Sequence, residues 1–162
     1  MSHPHALRRP VEPPESASGV WLGGLDSELA FALRLAQEAS FAAFARRTGE
    51  ADLRPGRYAI LVLIEANPGI SQTALGAAVG RDKSTLTPAL ADLERRGLVR
   101  RERTPHDRRS YAVTLTDTGR AVLRKLSRHA AAHDRELDAL VGAENKAAAM
   151  ALLRRIIQGL AA

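Results

Sequence analysis

The chain has 162 residues, carries a net charge of +6 and contains no cysteine. The lack of cysteine excludes disulfide scaffolds, thiol catalysis, thiol redox sensing and cysteine-ligated zinc. No apolar run approaches the roughly 18 residues that a membrane span requires, and the first residues lack the apolar core of a secretory signal. We therefore expect a cytoplasmic protein without a membrane partner, and its basic charge makes nucleic acid a candidate partner.

The length suits one domain with a single core, and the composition favours helices. Aromatic residues make up only 4% of the chain, whereas alanine and leucine are abundant, which is typical of packed helices rather than of sandwiches or barrels. Residues 1–20 contain four prolines and are predicted to form a flexible N-terminal arm. We expect residues 21–162 to form one mainly α domain with a small β-wing.

Two helices are predicted before residue 70. From Trp21, apolar residues recur at intervals of three and four on two faces, so we expect the first helix (about 21–48) to be buried by its own domain and by a second subunit. Pro55 suits the first position of the second helix, and Asn67-Pro68-Gly69 ends it. The predicted core face of this second helix consists of Tyr58, Leu61, Val62 and Ile64.

The next two helices have the spacing of a helix-turn-helix, whose second helix fits the DNA major groove. Ser71 is predicted to cap a helix over Gln72–Val79 that ends at Gly80, and Asp82 to cap a helix that continues to about residue 96. Gly97 closes the second helix. The predicted inward face of the helix over Gln72–Val79 holds Ala74, Leu75 and Ala78. The predicted inward face of the helix after Asp82 holds Leu86, Leu90 and Leu93. Its predicted outward face holds Lys83, Ser84, Thr85, Thr87, Asp92, Arg95 and Arg96. Pro88 predicts a slight kink.

After Gly97 the pattern changes from helix to strand. Residues 98–103 are predicted to pair with residues 111–115, where alternation places Tyr111, Val113 and Leu115 on one side. The arginine-rich segment 104–110 is longer than a tight hairpin turn and is predicted to be a wing along the DNA backbone. Residues 81–109 hold nine Lys/Arg and five Asp/Glu, so two thirds of the net charge falls where this geometry would bring DNA.

Two long amphipathic helices are predicted to follow. Thr116 caps the first, Gly142 breaks it, and the second begins at about Ala143. Their apolar stripes exceed what a small winged helix needs for its own core, so we expect the surplus to form a homodimer interface. The stripes consist of Val122, Leu126, Ala130, His133, Leu137 and Leu140, and then of Ala147, Met150, Leu153, Ile157 and Leu160.

The order of these motifs over about residues 55–125 resembles the MarR (multiple antibiotic resistance regulator) family of winged helix-turn-helix transcription regulators. No single motif carries the resemblance, and their combination is specific. The motifs are Gly69-Ile70-Ser71-Gln72 with Ala74-Leu75-Gly76, then Asp82-Lys83-Ser84-Thr85-Leu86-Thr87-Pro88, then Leu93-Glu94-Arg95-Arg96-Gly97-Leu98-Val99, and finally Asp107-Arg108-Arg109 with Val113-Thr114-Leu115-Thr116-Asp117-Thr118-Gly119.

The resemblance implies a homodimer that binds pseudo-palindromic double-stranded DNA. It places the winged helix-turn-helix at about 55–116 and dimerisation helices at about 21–48 and 117–161. It also implies a repressor that releases DNA when a small molecule, here expected to be an aromatic acid or its coenzyme A thioester, binds between the two regions.

The resemblance also implies which residues contact DNA. Ser84, Thr85 and Thr87 match recognition-helix positions that meet the major groove. Arg109 matches the wing arginine that enters the minor groove, and Asp107 matches the acid that orients it. The remaining candidate DNA contacts are Ser71, Gln72, Arg81, Lys83, Arg101, Arg103 and Arg108. The candidate ligand-binding residues are Trp21, Phe44, Tyr58, His129 and His133, each of which could instead be a core or interface residue.

Other interpretations remain open at this point. The arginines could form a solvated face, or the dimer could coat DNA constitutively as an architectural protein without an effector. His129 and His133 lie one helical turn apart and could join Asp134 or Glu136 in a zinc site of a zinc-responsive regulator, although packing is the commoner role for such a pair. The sequence has no glycine-rich phosphate loop, catalytic triad or tandem metal motif, so we expect neither an enzyme nor a bound cofactor.

Overall fold

The computed structural model describes residues 19–48, 55–80, 83–104 and 107–160; for residues 83, 104 and 107–110 it describes the backbone alone. The chain divides into two compact units, Met1–Ser40 and Phe41–Ala162. None of the described helices combines the length and the apolar character needed to cross a membrane. Most of the predicted N-terminal arm lies outside the described residues.

The first unit contains a short 3-10 helix, Leu25–Ser27, and the beginning of α1 (Leu29–Thr48). The predicted helix start at Trp21 is therefore wrong. Gly23 has a φ of +62°, a left-handed conformation that glycine adopts readily and that no α-helix contains. The helix ends at Thr48, as predicted.

The second unit is a winged helix-turn-helix with helices after it, which confirms the predicted fold class. Its three short strands form an antiparallel sheet in the order β1-β3-β2. In chain order its elements are α2 (Pro55–Ala66), β1 (Ile70–Ser71), α3 (Gln72–Val79), α4 (Lys83–Arg95), β2 (Val99–Thr104), β3 (Asp107–Leu115), α5 (Asp117–Val141) and α6 (Lys146–Leu160).

Side-chain caps fix the helix starts that the sequence predicted. The backbone amide of Ala74 donates to Ser71 Oγ at 3.1 Å, and the amide of Gly119 donates to Thr116 Oγ1 at 2.9 Å. The predicted cap at Asp82 lies outside the described residues. The last helix begins at Lys146, three residues later than predicted, because Gly142 and the turn after it interrupt the helical backbone.

The core of the second unit lies between α2, α3, α4, the sheet and the first half of α5. The predicted stripe of α4 is confirmed, because Leu86, Leu90 and Leu93 are almost completely buried. The full core cluster consists of Ile60, Leu61, Ile64, Leu75, Leu86, Ala89, Leu90, Leu93, Leu98, Val99, Val113, Leu115, Leu123 and Leu126.

Some predicted inward positions are wrong. Val62 is 37% exposed, and Ile60 takes its place in a stripe with Leu61 and Ile64. In α3, Ala74 and Ala78 are exposed. An alanine methyl group offers little apolar area to bury, so the larger Leu75 decides which face of this short helix turns inward.

The β2–β3 hairpin is longer than predicted. Its pairing continues from Val99 opposite Leu115 to Thr104 opposite Asp107, with an irregularity between Arg103 and Thr104. The segment 104–110 is therefore mostly strand, and the prediction that it is too long for a tight hairpin is wrong. A hairpin that faces solvent is held by backbone pairing and does not need alternating apolar and polar residues. The arginine-rich sequence therefore carried no recognisable strand pattern. Strand β1, with two residues, is too short to show a pattern.

The backbone of α5 closely approaches the segment that precedes β2. Thr116 Oγ1 donates to the carbonyl of Gly97 at 2.6 Å, and the Thr116 amide donates to the carbonyl of Leu98 at 3.1 Å. A Cβ atom at Gly119 would lie 2.0 Å from the Leu98 carbonyl oxygen. Only glycine therefore fits at this position without displacement of the backbone.

We expect Gly119→Ala to lower the free energy of unfolding by about 1–3 kcal/mol, because its methyl group must displace β2 or α5. Gly159→Ala is the matched control, since a Cβ there meets nothing within 4 Å and alanine favours helix. Urea unfolding followed by circular dichroism measures both. Equal stability of the two variants would contradict the tight junction.

Candidate nucleic-acid interface and adjoining cavity

The two helices of the helix-turn-helix are joined by a side-chain hydrogen bond. Gln72 Nε2 at the start of α3 donates to Thr87 Oγ1 on α4 at 2.8 Å. Ser84 and Thr85 are exposed one turn earlier on α4. The structure thus brings four of the predicted DNA-contacting side chains to neighbouring turns. A fifth, Ser71, uses its hydroxyl to cap α3.

Arg101 of the predicted DNA-contacting set is held by an acidic residue. Its Nε donates to Glu94 Oε2 at 2.8 Å, and its guanidinium lies 5.9 Å from the centre of the Tyr111 ring. The Arg103 guanidinium lies 6.0 Å from the centre of the same Tyr111 ring, and the Arg103 side chain is exposed. Because Glu94 belongs to α4 and Arg101 to β2, their ion pair ties the recognition helix to the hairpin.

This ion pair also changes the acidity of Glu94. The Arg101 guanidinium hydrogen-bonds and attracts the carboxylate, and so holds the pKa of Glu94 below its usual range. The ionised form is therefore the one that the folded protein favours.

Asp92 is half-buried, although the sequence predicted it on the outward face of α4. Its carboxylate forms an ion pair with Arg57 of α2 at 2.9 Å, pairs with Arg95, and lies 3.4 Å from Arg96 Nε. Three guanidinium groups around one carboxylate compensate for its loss of hydration. Arg95 and Arg96 lie at i+3 and i+4 of the same helix, but the pairing with Arg57 could not be predicted from the sequence, because Arg57 lies in another helix.

The remaining predicted DNA contacts lie at the starts of α4 and β3 or outside the described residues. Arg81 lies outside the described residues. The backbone places Lys83 at the start of α4, and Asp107, Arg108 and Arg109 at the start of β3. Their contacts with DNA stay predictions.

A cavity of about 410 Å³ lies between the end of α1, the start of α2 and the middle of α5. Phe44 is buried at its wall, and the Phe44 and Tyr58 ring centres are 5.9 Å apart. The imidazole of His133 meets the Phe44 ring edge-on, with centres 5.8 Å apart. The lining residues are Phe44, Pro55, Tyr58, Ser127, Ala130, Ala131, His133 and Asp134.

Three of the five candidate ligand-binding residues therefore share one cavity: Phe44, Tyr58 and His133. His129 is half-buried on α5 but is not among the lining residues, and Trp21 belongs to the first unit. The other lining residues of α5 were not predicted from the sequence as ligand-binding residues. Ser127, Ala131 and Asp134 recur at helical spacing, which could have identified them as one face.

An ion pair joins α1 to α5 in the second unit. Arg47 Nε donates to Glu136 Oε2 at 3.1 Å, and this contact holds the pKa of Glu136 below its usual range. Among the side chains that the structure describes, no group of three or more His, Asp or Glu residues could hold a metal ion. The zinc site considered for His129 and His133 has no support from these side chains.

Comparison with known proteins gives consistent results. The MarR family model matches residues 53–111. A putative transcriptional regulatory protein for the hcr operon of Thauera aromatica is 34% identical over 135 residues, which cover 83% of this chain and 81% of that protein.

Two solved regulators have similar structures. The transcriptional repressor CouR bound to a 23-mer DNA duplex has 36% identity and a TM-score of 0.76, over 85% of this chain and 97% of that chain. CouR bound to p-coumaroyl-CoA has 34% identity and a TM-score of 0.76, over 83% and 95%. The PcaV transcriptional regulator from Streptomyces coelicolor, in complex with its natural ligand, has 30% identity and a TM-score of 0.78, over 83% and 94%.

The Glu94–Arg101 pair makes a prediction about acid stability. A pKa lowered on folding adds stability above the unfolded value of about 4.3, and this contribution is lost as pH falls through the lower folded value. We expect Glu94→Gln to cost up to about 1 kcal/mol at pH 6, and the cost to shrink towards pH 3. Urea unfolding at both pH values measures it.

Arg101→Gln supplies the control background. Without the guanidinium, Glu94→Gln should have the same small effect at both pH values. A cost that does not change with pH in the otherwise unaltered chain would contradict the pairing.

Proposed function

Because this chain belongs to the MarR family of transcriptional regulators, we propose that it is a homodimeric repressor that binds pseudo-palindromic duplex DNA and is released by a small aromatic effector. The observation that carries the proposal is the exposed, hydroxyl-rich start of α4 next to a basic β-hairpin. A helix of this kind fits the major groove, and a basic hairpin fits the phosphate edge.

The proposed DNA contacts divide into two kinds. Ser84, Thr85 and Thr87 of α4 would meet base edges, and the Gln72–Thr87 hydrogen bond would fix the orientation of that hydroxyl. Arg109, oriented by Asp107, would enter the minor groove, and Arg103 and Arg108 would contact the phosphates. Arg101 would support DNA binding indirectly, by holding β2 against α4, because its guanidinium is already hydrogen-bonded to Glu94.

The proposed dimer interface is the apolar face of α6 with the end of α5. In the single chain, Leu153 is 42% exposed, Ile157 66%, Leu160 81% and Leu140 79%. A continuous apolar face of this kind is unfavourable in water, and a second copy would cover it. Two copies would present two α4 helices to half-sites one helical turn apart.

The proposed effector site is the cavity at Phe44, Tyr58 and His133. CouR binds p-coumaroyl-CoA, and PcaV has a natural ligand, which supports a ligand-responsive regulator here. Two of the helices that line the cavity also contact the DNA-binding elements. Helix α5 contacts the segment before β2 through Gly119, and helix α2 carries Arg57, which pairs with Asp92 of α4. A ligand that favours another arrangement of these helices would lower DNA affinity in proportion to its preference for that arrangement.

Selection of bound sequences from a random duplex pool, at near-physiological salt, tests the proposal. We expect enrichment of a two-fold symmetric site whose half-sites lie about ten base pairs apart. Binding without enrichment, lost as salt rises, would instead identify a constitutive architectural protein that holds phosphates only.

The proposed dimer makes a separate prediction. Ile157→Glu should dissociate the protein and lower its affinity for the selected duplex at least about tenfold, because a charge in the apolar interface loses its hydration. Gln158→Glu adds the same charge on the next residue of α6 and is the control. Sedimentation and DNA titration measure both variants. A dimeric Ile157→Glu variant would exclude this face as the interface.

A further inference from the structure

We propose that the cavity accepts an uncharged aromatic group, such as a phenol, amide, ester or thioester, and discriminates against a free aromatic carboxylate. The inference rests on the proposed function, because it takes the cavity as the effector site. It goes further by choosing between the two effector classes, aromatic acid and acyl thioester, that the sequence left together.

The cavity wall is suited to an aromatic ring. Phe44 is 2% exposed, and its ring packs against both Tyr58 and His133. Pro55, Ala130 and Ala131 add small apolar surfaces. A volume of about 410 Å³ falls within the range of roughly 300–1,000 Å³ that is usual for small-molecule sites.

The charge of the lining is the decisive observation. Among the described lining residues there is no lysine or arginine, and Asp134 contributes a carboxylate. Lys146 lies 2.6 Å from Asp138 and forms a longer ion pair with Asp134 at 3.9 Å, and Arg47 is paired with Glu136.

A free carboxylate would therefore meet two penalties in this cavity. It would lose hydration against apolar walls that offer no guanidinium or ammonium in exchange. It would also approach the like charge of Asp134, although the exposure of that side chain and its ion pair with Lys146 weaken the repulsion. An amide or thioester carbonyl keeps the shape and the hydrogen-bond acceptor but carries no charge, and Tyr58, Ser127 and His133 offer polar groups to it.

Isosteric ligand pairs test the inference. The full-length protein is titrated by calorimetry at pH 7 with benzoate and benzamide, and with 4-hydroxybenzoate and 4-hydroxybenzamide. We expect each amide to bind at least about tenfold more tightly than its acid. Benzoyl-CoA forms a further arm: tighter binding than benzamide would identify an acyl thioester as the source of the uncharged group, and equal binding a free neutral aromatic.

Three variants attribute the preference to the lining. Asp134→Asn should strengthen acid binding about threefold and leave the amides unchanged. Ala131→Lys, at an exposed lining position, supplies a cation and should reverse the preference. Asp117→Asn removes the same charge at the start of α5, outside the lining, and should leave the ratio unchanged. Thermal unfolding of each variant confirms that it is folded.

The outcomes separate the inference from the proposed function. If the acids bind the unaltered chain as tightly as the amides, the inference is overturned. If these acids also make the protein release the selected duplex, the effector proposal still stands. Amides that bind preferentially but do not release DNA would support the inference and overturn the effector proposal. If none of the five ligands binds, the proposal that the cavity binds aromatic groups is overturned. The DNA selection experiment would still test whether the protein is a sequence-specific regulator.

Discussion

The close approach of Gly119 to the Leu98 carbonyl is the constraint on which the arrangement of the second unit depends. It sets the exit of α5 from the winged helix, and Thr116 locks the same junction by capping α5 while donating to Gly97. Since Leu98 lies only three residues after the end of α4 at Arg95, the long helix and the recognition helix share one fixed point. The backbone of a strand, rather than a flexible linker, therefore connects the DNA-binding elements to the helices that line the cavity.

Ion pairs hold α4 on its solvent side, where the buried leucines cannot. Asp92 binds Arg57 of α2, and Glu94 binds Arg101 of β2, so both neighbouring elements are attached to the same helix. These pairs also reduce the number of arginines, among those counted in the net charge, that can contact DNA. Several arginines that appear available for DNA in the sequence form ion pairs within the protein instead. The proposed DNA recognition therefore depends more on the exposed hydroxyl groups of α4 and on the hairpin.

The sequence predicted those parts of the structure that depend on local signals. Ser71 and Thr116 were identifiable as caps, and the stripe of Leu86, Leu90 and Leu93 as the buried face of α4, because each signal lies within one helix. The Arg57–Asp92 pair and the lining of the cavity were not predictable in this way. They arise where separate helices meet, and a single sequence records no distance between them.

The length of α5 gives the junction a mechanical consequence. Its 25 residues form an arm of about 37 Å, with the Gly119 contact close to one end and the cavity near the middle. A rotation of about 5° at that pivot would move the far end, where the exposed face of α6 begins, by about 3 Å, because displacement grows with distance along a rigid rod. In the proposed dimer, this length would convert a small adjustment around a bound ring into a change of spacing between the two subunits, without any helix having to unfold.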